Sequence, residues 1–139
     1  MRYLGLDLGT KTLGVSITDK TNTIASPLKT IFFAEEDYSM AIEKLESIVR
    51  EEKITDFVLG LPKNMNNTIG QASQRSLFFK DLLEKRYGLP VHLVDERLTT
   101  IQAEHILLLS DKKRKERKKV IDNVASSIIL ETFLKGLEK

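Results

Sequence analysis

Residues 2–18 read RYLGLDLGTKTLGVSIT, and this stretch decides the fold of the chain. Its first part, residues 3–9, is too continuously apolar for a strand with one face in water, so we predict a strand in the middle of a sheet. A tight turn at residues 9–12 leads into a segment in which every second residue is apolar, as expected of a half-buried strand. The stretch therefore predicts an antiparallel hairpin.

Asp7 is the residue of this hairpin that most needs an explanation. An ionised carboxylate in a buried strand costs several kcal/mol unless it is paired, hydrogen-bonded or bound to a metal ion. Lys11 lies in the turn that follows, and glycines at positions 5, 9 and 14 allow another backbone or a phosphate group to approach closely. We therefore predict a functional site around Asp7, near the tip of the hairpin.

Size and composition predict one domain that spans residues 1–139. The 139 residues are 41% hydrophobic, which is enough to build a compact core. The chain has no cysteine, which argues against a disulfide scaffold or a thiolate metal site and is typical of a reducing compartment. It begins directly with a strand pattern and has no apolar run of membrane-spanning length. We expect a cytoplasmic protein without a membrane partner.

The rest of the chain continues the sheet and then alternates between strands and helices. A third strand at residues 23–31 contains Pro27, which predicts an edge position because proline cannot donate a ladder hydrogen bond. The expected segments after it are a helix from Glu35 with acidic residues in its first turn, a strand at 57–61, a helix at 71–87, a strand at 91–94, a helix at 99–109 and a last helix with an apolar stripe from Ile121 to Phe133. This order predicts an α/β fold with a mixed five-stranded sheet and helices on both faces.

Three acidic positions stand where strand ends or a helix face would gather them. They are Asp7, Glu96 with its neighbour Asp95, and Asp122 near the start of the last helix. Converging carboxylates repel one another unless a raised pKa or a divalent cation resolves the repulsion, and oxygen ligands without histidine or cysteine favour Mg²⁺ or Mn²⁺. Two such ions would support phosphodiester hydrolysis, with Asp95 as an additional candidate ligand. The structural alternatives are a local ion pair at the strand end and an interaction of Asp122 with the helix dipole.

Basic residues are concentrated in residues 112–119, which read KKRKERKK and carry a charge of +6 in a chain whose net charge is +2. Such a block is either a solvated loop without a partner or the electrostatic footprint of a nucleic-acid backbone. We predict that this octet and residues 63–70 are mobile segments that face the substrate. The candidate substrate-binding residues are Lys11, Lys63, Arg97, Lys112, Lys113, Arg114, Lys115, Arg117, Lys118 and Lys119. An ordinary turn lysine is the alternative interpretation of Lys11.

Four motifs, in order along the chain, resemble a known family. They are Gly5-Leu6-Asp7-Leu8-Gly9-Thr10-Lys11 with Gly14-Val15, Gly60-Leu61-Pro62 with Gly70, Asp95-Glu96-Arg97-Leu98-Thr99-Thr100, and Ile121-Asp122 with Ala125. The resemblance covers essentially the whole chain and is to the bacterial YqgF family, also called RuvX. Members of that family are known as pre-16S rRNA nucleases and Holliday junction resolvase-like proteins.

The resemblance implies an RNase H-like fold and a metal-dependent nuclease whose carboxylates fall on Asp7, Glu96 and Asp122. It also implies 5′-end maturation of the 16S rRNA precursor as the activity, with the assembling small ribosomal subunit as a partner, or alternatively the resolution of four-way DNA junctions. The chain departs from the family pattern at Thr12, where arginine is common, and at Ser126, where alanine is usual. Both departures would affect substrate contacts rather than the chemistry.

Two further functions compete with a nuclease. Residues 7–14 are similar to the first phosphate loop of actin-like and sugar-kinase-like ATPases, but those proteins close two such domains on the nucleotide and this chain supplies one. A structured-RNA-binding module without catalysis is the other alternative. The oligomeric state is open between monomer and homodimer, because a junction resolvase needs two active sites related by symmetry.

Overall fold

The computed structural model describes residues 2–19, 21–22, 24–61, 71–95 and 114–137, and within its helices it leaves the side chains of residues 71–72, 114–124 and 137 undefined. The strands are β1 (Tyr3–Leu8), β2 (Thr12–Thr18), β3 (Ala25–Phe32), β4 (Asp56–Leu61) and β5 (Val91–Asp95). The helices are α1 (Tyr38–Lys44), α2 (Glu46–Glu51), α3 (Gln71–Tyr87) and α4 (Arg114–Leu137).

The five strands form one mixed sheet in the order β3-β2-β1-β4-β5. β1 lies in the centre, pairs antiparallel with β2 and parallel with β4, and β4 pairs parallel with β5. β3 lies at the edge and contains Pro27, as the sequence predicts. The fold class, the hairpin and the central position of the first strand are confirmed.

The two faces of the sheet carry different helices because side chains alternate along each strand. Leu6 and Leu59 lie on what we call the core face, in one apolar cluster with Phe79 and Leu83 of α3 and with residues of α1. The opposite face, which we call the α4 face, packs Val58 and other side chains against α4. Helices on both faces are thereby confirmed, but β2 is buried along both of its faces and not half-buried, because α4 also covers it.

The first helical segment differs from the prediction at its start and in its middle. Glu36 has a φ of +58°, which no right-handed helix contains, so α1 starts only at Tyr38. Asp37 caps α1 because its side chain accepts a hydrogen bond of 3.3 Å from the Met40 N–H, and the first turn contains no acidic residue. The expected single helix is also interrupted at Leu45, after which α2 begins.

The later elements confirm α3 at its predicted bounds, with Gly88 closing it at a φ of +66°. α4 begins at Arg114, seven residues before the predicted apolar stripe, so residues 114–119 of the basic octet are helical and not in a loop. The octet contains no glycine or proline, and lysine, arginine and glutamate all have good helix propensity. The predicted helix at 99–109 and the predicted loop at 63–70 lie outside the described residues.

No helix in the described part of the chain is long and apolar enough to cross a membrane.

Candidate active site

Asp7 lies one residue before the end of β1, the central strand, and it is half-buried. Its partner in the ladder with β2 is Gly14, which has no side chain that could fill the space beside the carboxylate. Alternation along β1 puts Asp7 on the α4 face, together with Gly5, whose ladder partner is Ser16. Asp7 therefore lies on the face of the sheet that α4 crosses.

α4 crosses this face in close contact with β1. A Cβ atom at Gly5 would lie 3.1 Å from the carbonyl oxygen of Ser126 and 3.0 Å from the Cβ of Leu130, so only glycine admits the helix here. The hydroxyls of Ser126 and Ser16 are 2.9 Å apart and form a buried hydrogen bond. These contacts fix α4 against the centre of the sheet at residue 126.

The direction of α4 brings the backbone at residue 122 towards Asp7. The ring of Phe133 contacts Tyr3 at a centroid distance of 5.2 Å, whereas Ser126 lies beside Gly5, so the amino-terminal half of the helix lies towards the carboxyl end of β1. Asp122 precedes Ser126 by about one turn, or about 5.4 Å. Asp7 follows Gly5 by about 6.8 Å along the strand. Asp7 and the backbone of residue 122 therefore lie on the same side of the contact between Gly5 and Ser126, towards the carboxyl end of β1.

The sequence prediction placed Asp122 near the start of the last helix, which is wrong because the helix begins eight residues earlier, at Arg114. The alternative interpretation of Asp122, a favourable interaction with the helix amino terminus, loses its basis for the same reason, since that effect is confined to the first turn.

Asp95 lies on the other face. It is the last residue of β5 and pairs with Leu61 of β4. Two residues earlier in each strand, Leu93 pairs with Leu59, which pairs in turn with Leu6 of the core face. Asp95 therefore lies on the core face as well. The register therefore does not bring Asp95 and Asp7 to the same face. Glu96 lies outside the described residues.

The described side chains contain no group of three or more histidine, aspartate or glutamate residues that could hold a metal ion. Of the three predicted carboxylates, only that of Asp7 belongs to this described set.

The basic candidates are distributed over three settings. Lys11 is exposed in the turn after Asp7, and its carbonyl accepts a hydrogen bond of 3.0 Å from the Phe33 N–H. Arg114, Lys115, Arg117, Lys118 and Lys119 are in the first turns of α4, the helix whose later turns cover the sheet. Lys63, Arg97, Lys112 and Lys113 lie outside the described residues.

Ser126, a departure from the family pattern, has an internal role. It is fully buried and hydrogen-bonded to Ser16, whereas the sequence predicted an effect on substrate contacts. The signal for this pair was present in the sequence as two small polar residues in apolar patterns, but 110 positions separate them. The two residues are brought together only in the folded chain, so the sequence could not predict the pair.

The mixed sheet, with a long helix across its central strand, is the RNase H-like fold of resolvase-type nucleases. The structure of T. thermophilus RuvC in complex with a Holliday junction substrate aligns with a TM-score of 0.63 at 12% identity, over 100% of this chain and 97% of RuvC. The chain belongs to the RuvX family, whose model, described as "Holliday junction resolvase", matches residues 1–136. The predicted resemblance is confirmed.

Curated relatives match over almost their whole length. A protein of Oceanobacillus iheyensis named "Putative pre-16S rRNA nuclease" is 46% identical over 134 residues, which cover 96% of this chain and 98% of that protein. The protein of the same name from Bacillus subtilis is 44% identical over 137 residues, 99% of each chain. The family is one of nucleases, so the protein is a hydrolase of phosphodiester bonds.

Proposed function

We propose that this protein is a divalent-metal-dependent endonuclease that matures the 5′ end of the 16S rRNA precursor. The observation that carries the proposal is the convergence of β1 and α4: the central strand presents Asp7 on the face that α4 crosses, and the backbone at residue 122 lies towards it. The relatives named for pre-16S rRNA supply the substrate.

The residues fit a hard divalent cation. Asp7, Glu96 and Asp122 offer only carboxylate oxygens, which Mg²⁺ and Mn²⁺ prefer, and Gly14 leaves the space beside Asp7 free of a side chain on β2. We propose these three residues as the metal ligands. Asp95 is the weaker candidate, because its register places it on the core face.

The side chains of this chain would share the work of hydrolysis. When bound, a divalent cation would supply an activated water and neutralise charge on the phosphate. β1 is paired on both sides, so Asp7 would offer its carboxylate from a rigid backbone. Lys11, exposed in the turn after Asp7, would contact a neighbouring phosphate.

The basic first turns of α4 would bind the substrate backbone. Five of the seven basic residues of the octet lie in the described helix, which continues directly to residue 122. Binding by these cations should weaken steeply with salt, because phosphate contacts release counterions. We propose that the octet guides the RNA towards Asp7 along one continuous helix.

The substrate also bears on where the protein works and in what oligomeric state. A precursor of 16S rRNA is processed where ribosomes assemble, so we propose a cytoplasmic, single-domain enzyme that works on the assembling small subunit. A monomer suffices for a single cut in one strand, whereas a homodimer would be required for the symmetric cuts of a junction.

The description of the family supports one alternative, the resolution of four-way DNA junctions. Parallel cleavage assays separate the two: one with RNA that carries the 5′ precursor extension of 16S rRNA, the other with a four-way DNA junction. Each assay contains Mg²⁺, Mn²⁺ or a chelator, and Asp7→Asn serves as the inactive control. We expect metal-dependent cuts in the RNA that disappear in the variant.

Symmetric cuts in the junction alone would instead establish the resolvase. If neither substrate is cut but RNA binds tightly, and if Asp7→Asn leaves that affinity unchanged, the non-catalytic RNA-binding module is the better description.

A further inference from the structure

A cleft of about 340 Å³ lies between α1 and α3, on the side of the hairpin turn away from α4. Its lining residues are Glu36, Tyr38, Gln74, Arg75 and Phe78. The volume is within the range of small-molecule sites, roughly 300–1,000 Å³. The lining combines one carboxylate, one guanidinium, one amide, one phenol and one phenyl ring, a mixture of hydrogen-bond donors, acceptors and apolar surface.

Two aromatic side chains of the cleft are unusual. Phe78 is 56% exposed, although it is a large apolar residue on a helix whose other face is buried. Tyr38 is only 6% exposed, and its hydroxyl has no hydrogen-bond partner among the described residues. A buried hydroxyl without a partner costs free energy in the free protein. A ligand in the cleft would cover the ring of Phe78 directly. The hydroxyl of Tyr38 is itself shielded from solvent, so it would gain the ligand as a partner through a movement of the tyrosine side chain towards the cleft.

The surroundings of the Tyr38 hydroxyl point in the same direction. Burial raises its pKa, while the nearby charge of Arg75 lowers it and that of Glu36 raises it. Because the net effect raises the pKa, the hydroxyl stays protonated at neutral pH and can donate a hydrogen bond.

The cleft is close to the proposed active site. The Glu36 N–H donates a hydrogen bond of 2.8 Å to the carbonyl of Thr10, in the turn that follows Asp7. Three residues of chain span at most about 11 Å, so the backbones of Asp7 and of this wall are separated by no more than a few nucleotides of an extended strand. Asp7 lies on the α4 face and the helices of the cleft pack on the core face, so the strand would pass over the hairpin turn between them.

We infer that the cleft binds one unstacked base of a single-stranded RNA segment next to the cleavage site, with a preference for guanine. This inference rests on the proposed RNA nuclease function. Phe78 provides the stacking surface, as aromatic side chains do in single-stranded RNA recognition. The Watson–Crick edge of guanine has N–H donors for the carboxylate of Glu36 and a carbonyl acceptor for Arg75 or Tyr38.

A backbone phosphate fits the cleft less well than a base does. Glu36 would repel a phosphate group, whereas a cleft that offers both a carboxylate and a guanidinium matches a base edge that both donates and accepts. An exposed phenyl ring contributes nothing to phosphate binding but offers a face to any base.

Affinity measurements with short oligonucleotides test the inference. Fluorescence anisotropy in the Asp7→Asn background, which prevents cleavage, compares a labelled uridine hexanucleotide with the same hexanucleotide carrying one guanosine. We expect Phe78→Ala to weaken binding of both by about 5- to 100-fold. Glu36→Gln should remove the preference for guanosine and leave the affinity for the uridine oligonucleotide almost unchanged.

Tyr38→Phe separates a binding role from a structural one. Removing a buried hydroxyl without a partner should leave Tm unchanged or raise it, while guanosine binding weakens by about 5-fold. If the variant instead loses Tm and affinity together, Tyr38 is a structural residue and the inferred contact is wrong.

A matched control lies outside the cleft. Leu77→Ala removes an exposed apolar side chain of the same helix. The inference is overturned if Phe78→Ala binds RNA as Leu77→Ala does, or if the two oligonucleotides bind equally well to the Asp7→Asn protein. Its failure is distinguishable from failure of the proposed function, because precursor cleavage by the wild-type protein is measured separately.

Discussion

The two faces of the central sheet bury different chemistry. On the core face, Leu6 of β1 sits among apolar side chains from α1, α3 and the neighbouring strands. On the α4 face, the same strand presents Gly5 and Asp7, and the helix above them is joined to β2 through the hydrogen bond between Ser16 and Ser126. The core face of β1 contributes apolar burial, whereas Gly5 on the α4 face lets the helix approach the sheet closely. One strand can do both because its side chains alternate between the two faces.

This comparison predicts that substitutions on the two faces of β1 have opposite consequences. Changes on the core face should lower the free energy of unfolding and leave the activity of the folded molecules unaltered. Changes at the Asp7 carboxylate should reduce the activity and leave the free energy of unfolding almost unaltered.

The largest effect is expected for Asp7→Asn. The substitution keeps the shape of the side chain but removes a proposed metal ligand, so cleavage of precursor RNA should fall by at least about 10³-fold. RNA affinity should be retained or increase, because one charge that repels phosphate is gone. Single-turnover cleavage and anisotropy measure the two quantities separately. A variant that still cuts at near the wild-type rate would remove Asp7 from the site.

Leu6→Ala tests the core face of the same strand, at the residue next to Asp7. Leu6 is fully buried, and truncation of such a side chain costs about 2–5 kcal/mol of unfolding free energy. Denaturant titration gives the loss, and the exposed Leu28→Ala should stay within about 0.5 kcal/mol of the wild type. Below the unfolding transition, kcat of Leu6→Ala should match that of the wild type. A large loss of kcat would mean that the two faces are not independent.

Gly5→Ala should affect both the stability of the fold and the rate of cleavage. The added Cβ would clash with Ser16 Oγ and press on the backbone of α4, so we expect a loss of about 1–3 kcal/mol, together with reduced cleavage, because α4 carries Asp122. Gly136→Ala is the control, because a Cβ at that position of the same helix meets nothing within 4 Å. Thermal unfolding and cleavage rates are measured on both. Stability lost without any loss of cleavage would show that the site tolerates displacement of the helix.

The smallest effect is expected at the buried serine pair. Ser126→Ala leaves the hydroxyl of Ser16 without this partner and should cost about 1–3 kcal/mol. The double variant Ser16→Ala with Ser126→Ala should recover much of that loss, since neither hydroxyl remains. Unfolding free energies of the two single variants and the double variant form the cycle. Additive losses would contradict a direct interaction between the two side chains.

The sequence predicted most of the sheet because its signals are local. Continuous apolar character identified β1 and β4 as buried strands, and Pro27 identified the edge. The start of α1 was missed because the left-handed conformation of Glu36 has no sequence signature at a non-glycine residue. The start of α4 was missed because a run of like charges was interpreted as a solvated loop, although these residues have good helix propensity.

The candidate site was predictable only in part. A carboxylate in a buried strand is a strong signal in itself, and this identified Asp7. The separation of Asp95 from Asp7 was not predictable, because it depends on the register between β4 and β5, where a shift of one residue would exchange the faces. The cleft between α1 and α3 has no sequence signal either, since Tyr38 and Phe78 belong to segments forty residues apart and meet only in the folded chain.

The most direct test of the account is Mn²⁺ binding, followed by electron paramagnetic resonance, in wild type and in four single variants. The account predicts that Asp7→Asn, Glu96→Gln and Asp122→Asn each weaken binding strongly, whereas Asp95→Asn, on the core face, binds as the wild type does. Loss of binding in Asp95→Asn, with Asp122→Asn unaffected, would contradict a metal site between the sheet and α4.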